Sequence, residues 1–317
     1  MQSRFLGAIV GCAVGDALGA PFEGWPGEAI QKVRDLTAHF TGQYTDDTQL
    51  TLALTESIIE RGGVDPADVA ARFLSTYHKG IIGIGRSTMR AMKRLEKGLS
   101  WRDSGDEVGN AGNGCAMRAS PIGLWDFDAP DRLVEDAVNT SIITHKDSRA
   151  AAGAVAVASA VAYLASGERL EVPEFLEVIG HRTGQINNEL EGFIFKIPEW
   201  LKADEGTALQ EMLRAGWESR ELQAPGRKLD GCTPFVIPTV LVSLYSFLKS
   251  PGDFMGSLIR AVRVGGDVDT LGAITGAISG TYNGIEGIPT HLVNHLKDSG
   301  MIQDMAQRLF IKRRQSS

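Results

Sequence analysis

Thiols, excess positive charge and long hydrophobic runs are all scarce in this chain, and each scarcity argues against a class of function. Three cysteines, Cys12, Cys115 and Cys232, stand far apart with no CxxC spacing. Neither a disulfide framework nor a thiolate zinc site is suggested, and a reducing, cytoplasmic setting fits. Lysine and arginine total 32 against 39 acids, a net charge of −7. No nucleic acid is expected as a partner, because phosphate binding relies on clustered cations. The one basic cluster, Lys312-Arg313-Arg314, closes the chain and reads as a solvated tail. No signal peptide is evident: the opening MQSRFLGAIVGCAVGDALGA is apolar but interrupted by Asp16 and by repeated glycines. The Ala-rich run 150–165 is shorter than the roughly 20 residues a bilayer needs. Membrane insertion is therefore not expected, and the run reads as a central buried helix whose small side chains let neighbours approach. Also missing are a GxSxG elbow, a GxxxxGK[ST] loop and a Cys/His pair at a recognisable catalytic spacing.

Helical punctuation, by contrast, is abundant. Asp65-Pro66-Ala67-Asp68 supplies an N-cap, a first-turn proline and a first-turn acid, and Gly80 follows the end of that helix. An apolar helix precedes Pro21, and residues 50–60 keep helical spacing up to Gly62-Gly63. Further helices are expected near 87–97, 131–143, 148–165, 172–182, 187–203, 206–217, 235–249, 253–263, 270–282 and 290–298. Hairpin signals are scarce. The glycines show no fixed repeat period, and no linker divides the chain, the turn-rich stretch 226–231 being only of loop length. The expected fold is all-α, a single compact domain spanning residues 1–317 with ten or more helices.

Two acidic motifs stand out. YTDDTQL, residues 44–50, sets Asp46 and Asp47 between Thr45 and Thr48 at the mouth of a helix. Helix capping explains one of these acids. Far downstream, RVGGDVDTLGAITGAISG sets Asp267 and Asp269 before Thr270 at the start of another helix. Both motifs offer only hard oxygen ligands, which suit Mg²⁺, Mn²⁺ or Ca²⁺ rather than zinc or copper. If they converge, four carboxylates repel one another unless cations intervene, and four match two divalent ions in charge.

Other polar features are weaker. Glu23, on a short turn, is available as a general acid or base, or is an ordinary surface glutamate. Gly83, Gly85 and Ser87, beside Arg86, lead into a helix whose N-terminus could hold a phosphate. Gly109, Asn110, Asn113 and Gly114 form a glycine-flanked turn that allows backbone close to a ligand. His145, in THKD, could donate to a ligand or be a structural histidine.

Taken together, GAIVGCAVGDALGAPFEG, YTDDTQL, GNGCAMRASPIGL, THKDS and GGDVDTLGAITGAISG resemble the ADP-ribosylglycohydrolase family, over about residues 7–284 and in the family's order. The resemblance implies an all-α fold around a binuclear Mg²⁺ or Mn²⁺ centre, and cleavage of the glycosidic bond between ADP-ribose and an acceptor. By motif it implies Thr45, Asp46, Asp47, Asp267, Asp269 and Thr270 as metal ligands. Glu23, Asp46, Asp47 and Asp269 would carry catalysis. The loops at 83–87 and 109–114, with His145, would hold the diphosphate and distal ribose. The partner would be an ADP-ribosylated protein or a small ADP-ribose conjugate, acted on by a monomer.

One departure bears on specificity. Arginine-type members of the family commonly carry an aspartate where residues 82–85 here read IGIG. Lacking an acid to pair with a guanidinium, the chain is at least as well suited to an O-linked substrate, ADP-ribosyl-serine or O-acetyl-ADP-ribose. The competing readings are a binuclear-metal phosphohydrolase of a nucleoside diphosphate and an inactive ADP-ribose-binding relative.

Overall fold

The computed structural model describes residues 1–167, 169–217 and 228–316. Residues 226 and 227 of the expected loop at 226–231 lie outside the described residues. Among the described residues the chain is built of α-helices, well over ten of them, with four isolated β-bridges and no ladder. Six helices frame the account: α1 (Gln2–Gly19), α2 (Asp46–Arg61), α3 (Arg86–Glu96), α4 (Ser148–Ala165), α5 (Val268–Asn283) and α6 (Ser299–Gln315).

The fold turns on the contact between α1 and α5. Residues four apart share a helix face, so Gly7, Gly11, Gly15 and Gly19 form one stripe and Gly272, Gly276 and Gly280 another. The stripes meet antiparallel and backbone to backbone. A Cβ added to Gly7, Gly11 or Gly15 would stand 2.0, 2.3 or 2.0 Å from the carbonyl oxygen of Gly280, Gly276 or Gly272. No side chain fits in that seam. The expectation of glycines without a repeat period is therefore wrong here: a period of four runs through both helices, and close approach is its reason. The antiparallel seam also brings the C-terminal end of α1 beside the N-terminal end of α5, and so Asp16 beside Asp269.

The Ala-rich α4 is the expected buried helix. Its residues 150–165 are all buried, and it packs on the helices Ser120–Trp125, Pro130–Ser141 and Val172–Gly184. By length and composition α4 and the stretch Gln2–Phe22 could each cross a membrane, yet 89% and 83% of their apolar windows are buried inside the fold. One hydrophobic cluster runs from Phe5 to Leu309.

Three local expectations need correction. The helix expected at 187–203 is two, Asn188–Ile194 and Ile197–Lys202; Pro198 cannot supply an interior N–H and opens the second one instead. The helix expected at 290–298 stops at His295, and Asp298 takes a positive φ of 55° before α6 begins. The basic end is not a solvated tail at Arg313. That residue lies on α6 and is buried, and its guanidinium donates to the Trp125 carbonyl and to Asp128.

Candidate metal centre and ligand cavity

Asp16 organises the first acidic motif. Fully buried in α1, its carboxylate accepts the backbone N–H and the hydroxyl of both Thr45 and Thr48, at 2.6–3.0 Å. It therefore caps α2 from a different helix, and the N-cap residue Thr45 makes no cap bond with its own side chain. Capping thus accounts for neither Asp46 nor Asp47. Both are buried in the first turn, and Asp47 Oδ1 has no hydrogen-bond partner among the described residues.

The second motif arrives across the glycine seam. Asp267 stands at the N-cap of α5 without a side-chain cap bond. It accepts instead from the Asn113 side-chain amide at 2.6 Å. Carboxylate oxygens of Glu23, Asp267 and Asp269 lie within 4.8 Å of one another.

The two motifs act on each other electrostatically. Burial first, then Asp269, Asp16 and Asp46, push the Asp47 carboxyl well above the usual range. Burial, then Asp267, Glu23 and Asp16, do the same to Asp269. Asp46 is pushed up to about 7 by burial, Asp16 and Asp267. Burial also raises Asp16, to about 6, against the threonine hydrogen bonds that hold it down. Asp267 rises by burial, and Glu23 by burial and then Asp267. The charges acting most on Asp47 and Asp269 are all other carboxylates.

These acids border a cavity of about 910 Å³, within the size range of small-molecule sites. Glu23, Asp46, Asp47, Asp267, Asp269 and Thr270 line it, with Gly83, Gly85, Ser87, Gly109, Asn110, Asn113, Gly114 and His145. Of the sequence-derived site residues only Thr45 is not on that wall; its hydroxyl sits between Asp16 and Asp47, at 2.9 and 3.3 Å. Gly83, at φ 81°, folds over the first motif, and a Cβ there would meet Asp46 Oδ1 at 3.3 Å. Gly85 is the N-cap of α3. Some polar groups are already committed: the Ser87 hydroxyl donates to Asp106 at 2.8 Å, and the Asn113 amide holds Asp267 and Thr239.

The sequence reading missed Asp16, treating it as an interruption of an apolar run; a lone carboxylate inside such a helix was the available signal. It also found no Cys/His pair, yet Cys115 Sγ lies 3.3 Å from His145 Nδ1. Arg149, Trp217 and Phe235 line the cavity as well. Arg149 is held on Asp147 at 2.9 Å, and the rings of Trp217 and Phe235 meet edge-on at 4.8 Å. Nothing in their local sequence set these three apart.

Comparison with known proteins finds relatives over the length of the chain. The family described as ADP-ribosylglycohydrolase matches residues 1–317. An uncharacterized protein of Archaeoglobus fulgidus is 32% identical, over 98% of this chain and 97% of its own length. ADP-ribosylhydrolase ARH3 of Xenopus tropicalis is 26% identical over 99% and 98%. ADP-ribosyl-[dinitrogen reductase] glycohydrolase of Rhodospirillum rubrum is 25% identical over 93% and 91%. A solved structure, an ADP-ribosylglycohydrolase-related protein complex, superposes with a TM-score of 0.67 at 31% identity, covering 98% of each chain.

Proposed function

Because the chain belongs to the ADP-ribosylglycohydrolase family, we propose that it acts as one domain to release ADP-ribose from an O-linked acceptor, using divalent cations held by its two acidic motifs. The observation that carries this reading is the convergence of Asp47 and Asp269, from helices more than two hundred residues apart in sequence, on one wall of the cavity.

The residues present fit a divalent centre. The donors are oxygen alone, Asp47 Oδ1 is a buried acceptor without a donor among the described residues, and the mutual repulsion of the acids is what cations would relieve. Asp46, Asp47, Asp267, Asp269 and Thr270 would hold the ions, with Thr45 close behind. Bound there, Mg²⁺ or Mn²⁺ supplies Lewis-acid polarisation and a template for ribose hydroxyls.

The chain's own groups do the rest. Glu23 stands beside Asp267 and Asp269 at the cavity wall. Its raised pKa suits it to hand a proton to a departing oxygen or to take one from an attacking water. The N-terminus of α3, reached through Gly83 and Gly85, offers free N–H groups to an anionic diphosphate. The segment 109–114 and His145, also on the cavity wall, would hold the ligand too, and fixing it lowers the entropic cost of reaching the transition state. The loop 82–85 places Ile84, not an acid, on the wall. A hydroxyl leaving group needs no charged partner there, whereas a guanidinium does.

The test is turnover of ADP-ribosyl-serine, O-acetyl-ADP-ribose and ADP-ribosyl-arginine in parallel, with and without EDTA. Release of intact ADP-ribose from the O-linked substrates, lost in EDTA, is expected. Exclusive arginine release overturns the linkage, and AMP as product overturns the glycosidic reaction.

A further inference from the structure

Among the described residues Arg118 is the largest fully buried side chain, at 1% exposure. A guanidinium is expensive to bury without a carboxylate, yet its hydrogen bonds among the described residues go elsewhere. It donates to the Gly114 carbonyl, to the Thr140 carbonyl at 3.4 Å, to Thr144 Oγ1 at 2.6 Å and to Cys115 Sγ at 3.8 Å. Its carbon stands 4.9 Å from the centre of the Phe73 ring. Two of those partners are also the neighbours of one imidazole nitrogen. His145 Nδ1 lies 2.9 Å from Thr144 Oγ1 and 3.3 Å from Cys115 Sγ. The opposite edge of the ring reaches the cavity, where glycine makes room for it. A Cβ on Gly112 would sit 2.8 Å from Nε2, and one on Gly114 3.0 Å from Cε1.

We propose that Arg118 and Thr144, with Cys115 alongside, form a buried relay that fixes His145 as an Nε2–H donor facing the cavity. Arginine only donates, so one lone pair of Thr144 Oγ1 is taken and the hydroxyl proton is left to point at His145 Nδ1. A thiol at Cys115 has one proton, placed between the Ser141 carbonyl at 3.6 Å and His145 Nδ1 at 3.3 Å. A neutral imidazole that accepts at Nδ1 carries its proton on Nε2. If the Cys115 proton moves onto Nδ1, giving a thiolate and an imidazolium, the Nε2–H remains. Burial alone would raise the Cys115 thiol, but His145 and Arg118 beside it bring it down to about 6. The backbone of His145 is steadied by its bridge to Asp106, whose carboxylate holds Ser87 and Arg90 of α3. The cavity thus sees a hydrogen-bond donor of fixed direction, suited to a phosphate or sugar oxygen. Arg118, Thr144 and Cys115 are positioning residues: they act through His145. The identity of the ligand rests on the ADP-ribose reading; the tautomer does not.

The experiment reads the tautomer directly, by NMR of the imidazole nitrogens in the intact protein at neutral pH, with His145→Gln assigning its signals among the six histidines. The wild type should carry hydrogen on Nε2. Thr144→Val should lower the Nε2–H population and raise KM for ADP-ribosyl-serine roughly tenfold, the worth of one hydrogen bond to a charged acceptor, with kcat little changed. Thr144→Ser, which keeps the hydroxyl, should restore both. Arg118→Lys, which loses the fork, should shift the tautomer too and serves if the valine variant does not fold. A wild-type Nδ1–H tautomer with Nε2 bare, or a folded Thr144→Val with tautomer and KM both unchanged, overturns the relay whatever the activity. A correct tautomer in a protein that releases no ADP-ribose supports the relay and sinks the activity instead.

Discussion

Two groups of buried acids sit in this molecule, and they are resolved in opposite ways. Asp126 and Asp136 are buried near the helix Pro130–Ser141. Asp126 is paired with Arg132, and the Arg313 charge also acts on it. Burial and the Asp126 charge push Asp136 up to about 8, so that it keeps its proton and hydrogen-bonds its neighbour. Arginines and a shared proton neutralise that pair from within the chain, although Asp126 Oδ2, like Asp47 Oδ1, has no hydrogen-bond partner among the described residues; the difference lies in charge. The cavity group has more acids and no salt bridge to Asp46, Asp47, Asp267 or Asp269 among the described residues, and it opens onto a space of about 910 Å³. A buried acid cluster that the protein completes itself is structure. One that it leaves uncompleted at a cavity wall is a place for something the chain does not supply.

The sharpest way to break this contrast is to remove an acid from the uncompleted group. Asp269→Asn should lower turnover by about a thousandfold or more while the helical fold persists, since other residues hold the seam. The same variant without metal should melt no lower than the wild type, because repulsion has been relieved. Mg²⁺ or Mn²⁺ at a hundredfold excess over its dissociation constant should stabilise the wild type by about 2.7 kcal/mol, roughly 4 °C in Tm, and the variant far less. Calorimetric scans with and without EDTA check it; equal metal stabilisation of both proteins would equate the two acid groups.

Much of the contrast was legible in the sequence, and the illegible part has a physical cause. Asp46, Asp47, Asp267 and Asp269 were readable because paired acids at helix mouths are more than capping requires. Helix positions were readable from caps and spacing, as at Asp65-Pro66. Asp16 was not, because its meaning comes from Thr45 and Thr48, which reach it only through tertiary packing. The period of four in Gly7, Gly11 and Gly15 stood in plain view, but a glycine stripe acquires sense only when its partner at 272–280 is known to face it. Arg118 and His145 likewise depend on three segments, 113–118, 140–145 and 106, folding onto each other. Local chemistry is written in neighbours along the chain; the second layer around a site is written in neighbours across it.

Arg313 sharpens the comparison from the completed side. Its guanidinium ties α6 to Trp125 and Asp128 and stands over the Phe127 ring at 5.1 Å. Arg313→Met keeps the stem and removes the charge. The loss of buried charge-assisted hydrogen bonds should cost about 2 kcal/mol, seen as a lower midpoint in urea at unchanged slope. KM and kcat should stay at wild-type values. A change in KM with stability intact would tie this end of the molecule to the cavity.

A different way to break the contrast is the pH dependence built into the completed pair. Asp136 has an ordinary value of 3.8 and is held at about 8 in the fold. Between those values the folded chain keeps a proton that the unfolded chain has released, so this group's contribution is full below pH 4 and is lost as the pH rises through about 8. Asp136→Asn keeps a donor toward Asp126 at every pH. It should flatten the fall in Tm on the alkaline side, with a gain of about 1.5 °C above pH 8 for each kcal/mol recovered, and leave turnover alone. Melting curves from pH 5 to about 9 decide it. Parallel curves for variant and wild type would mean that Asp136 is ionised in the fold, and that arginine alone completes the pair.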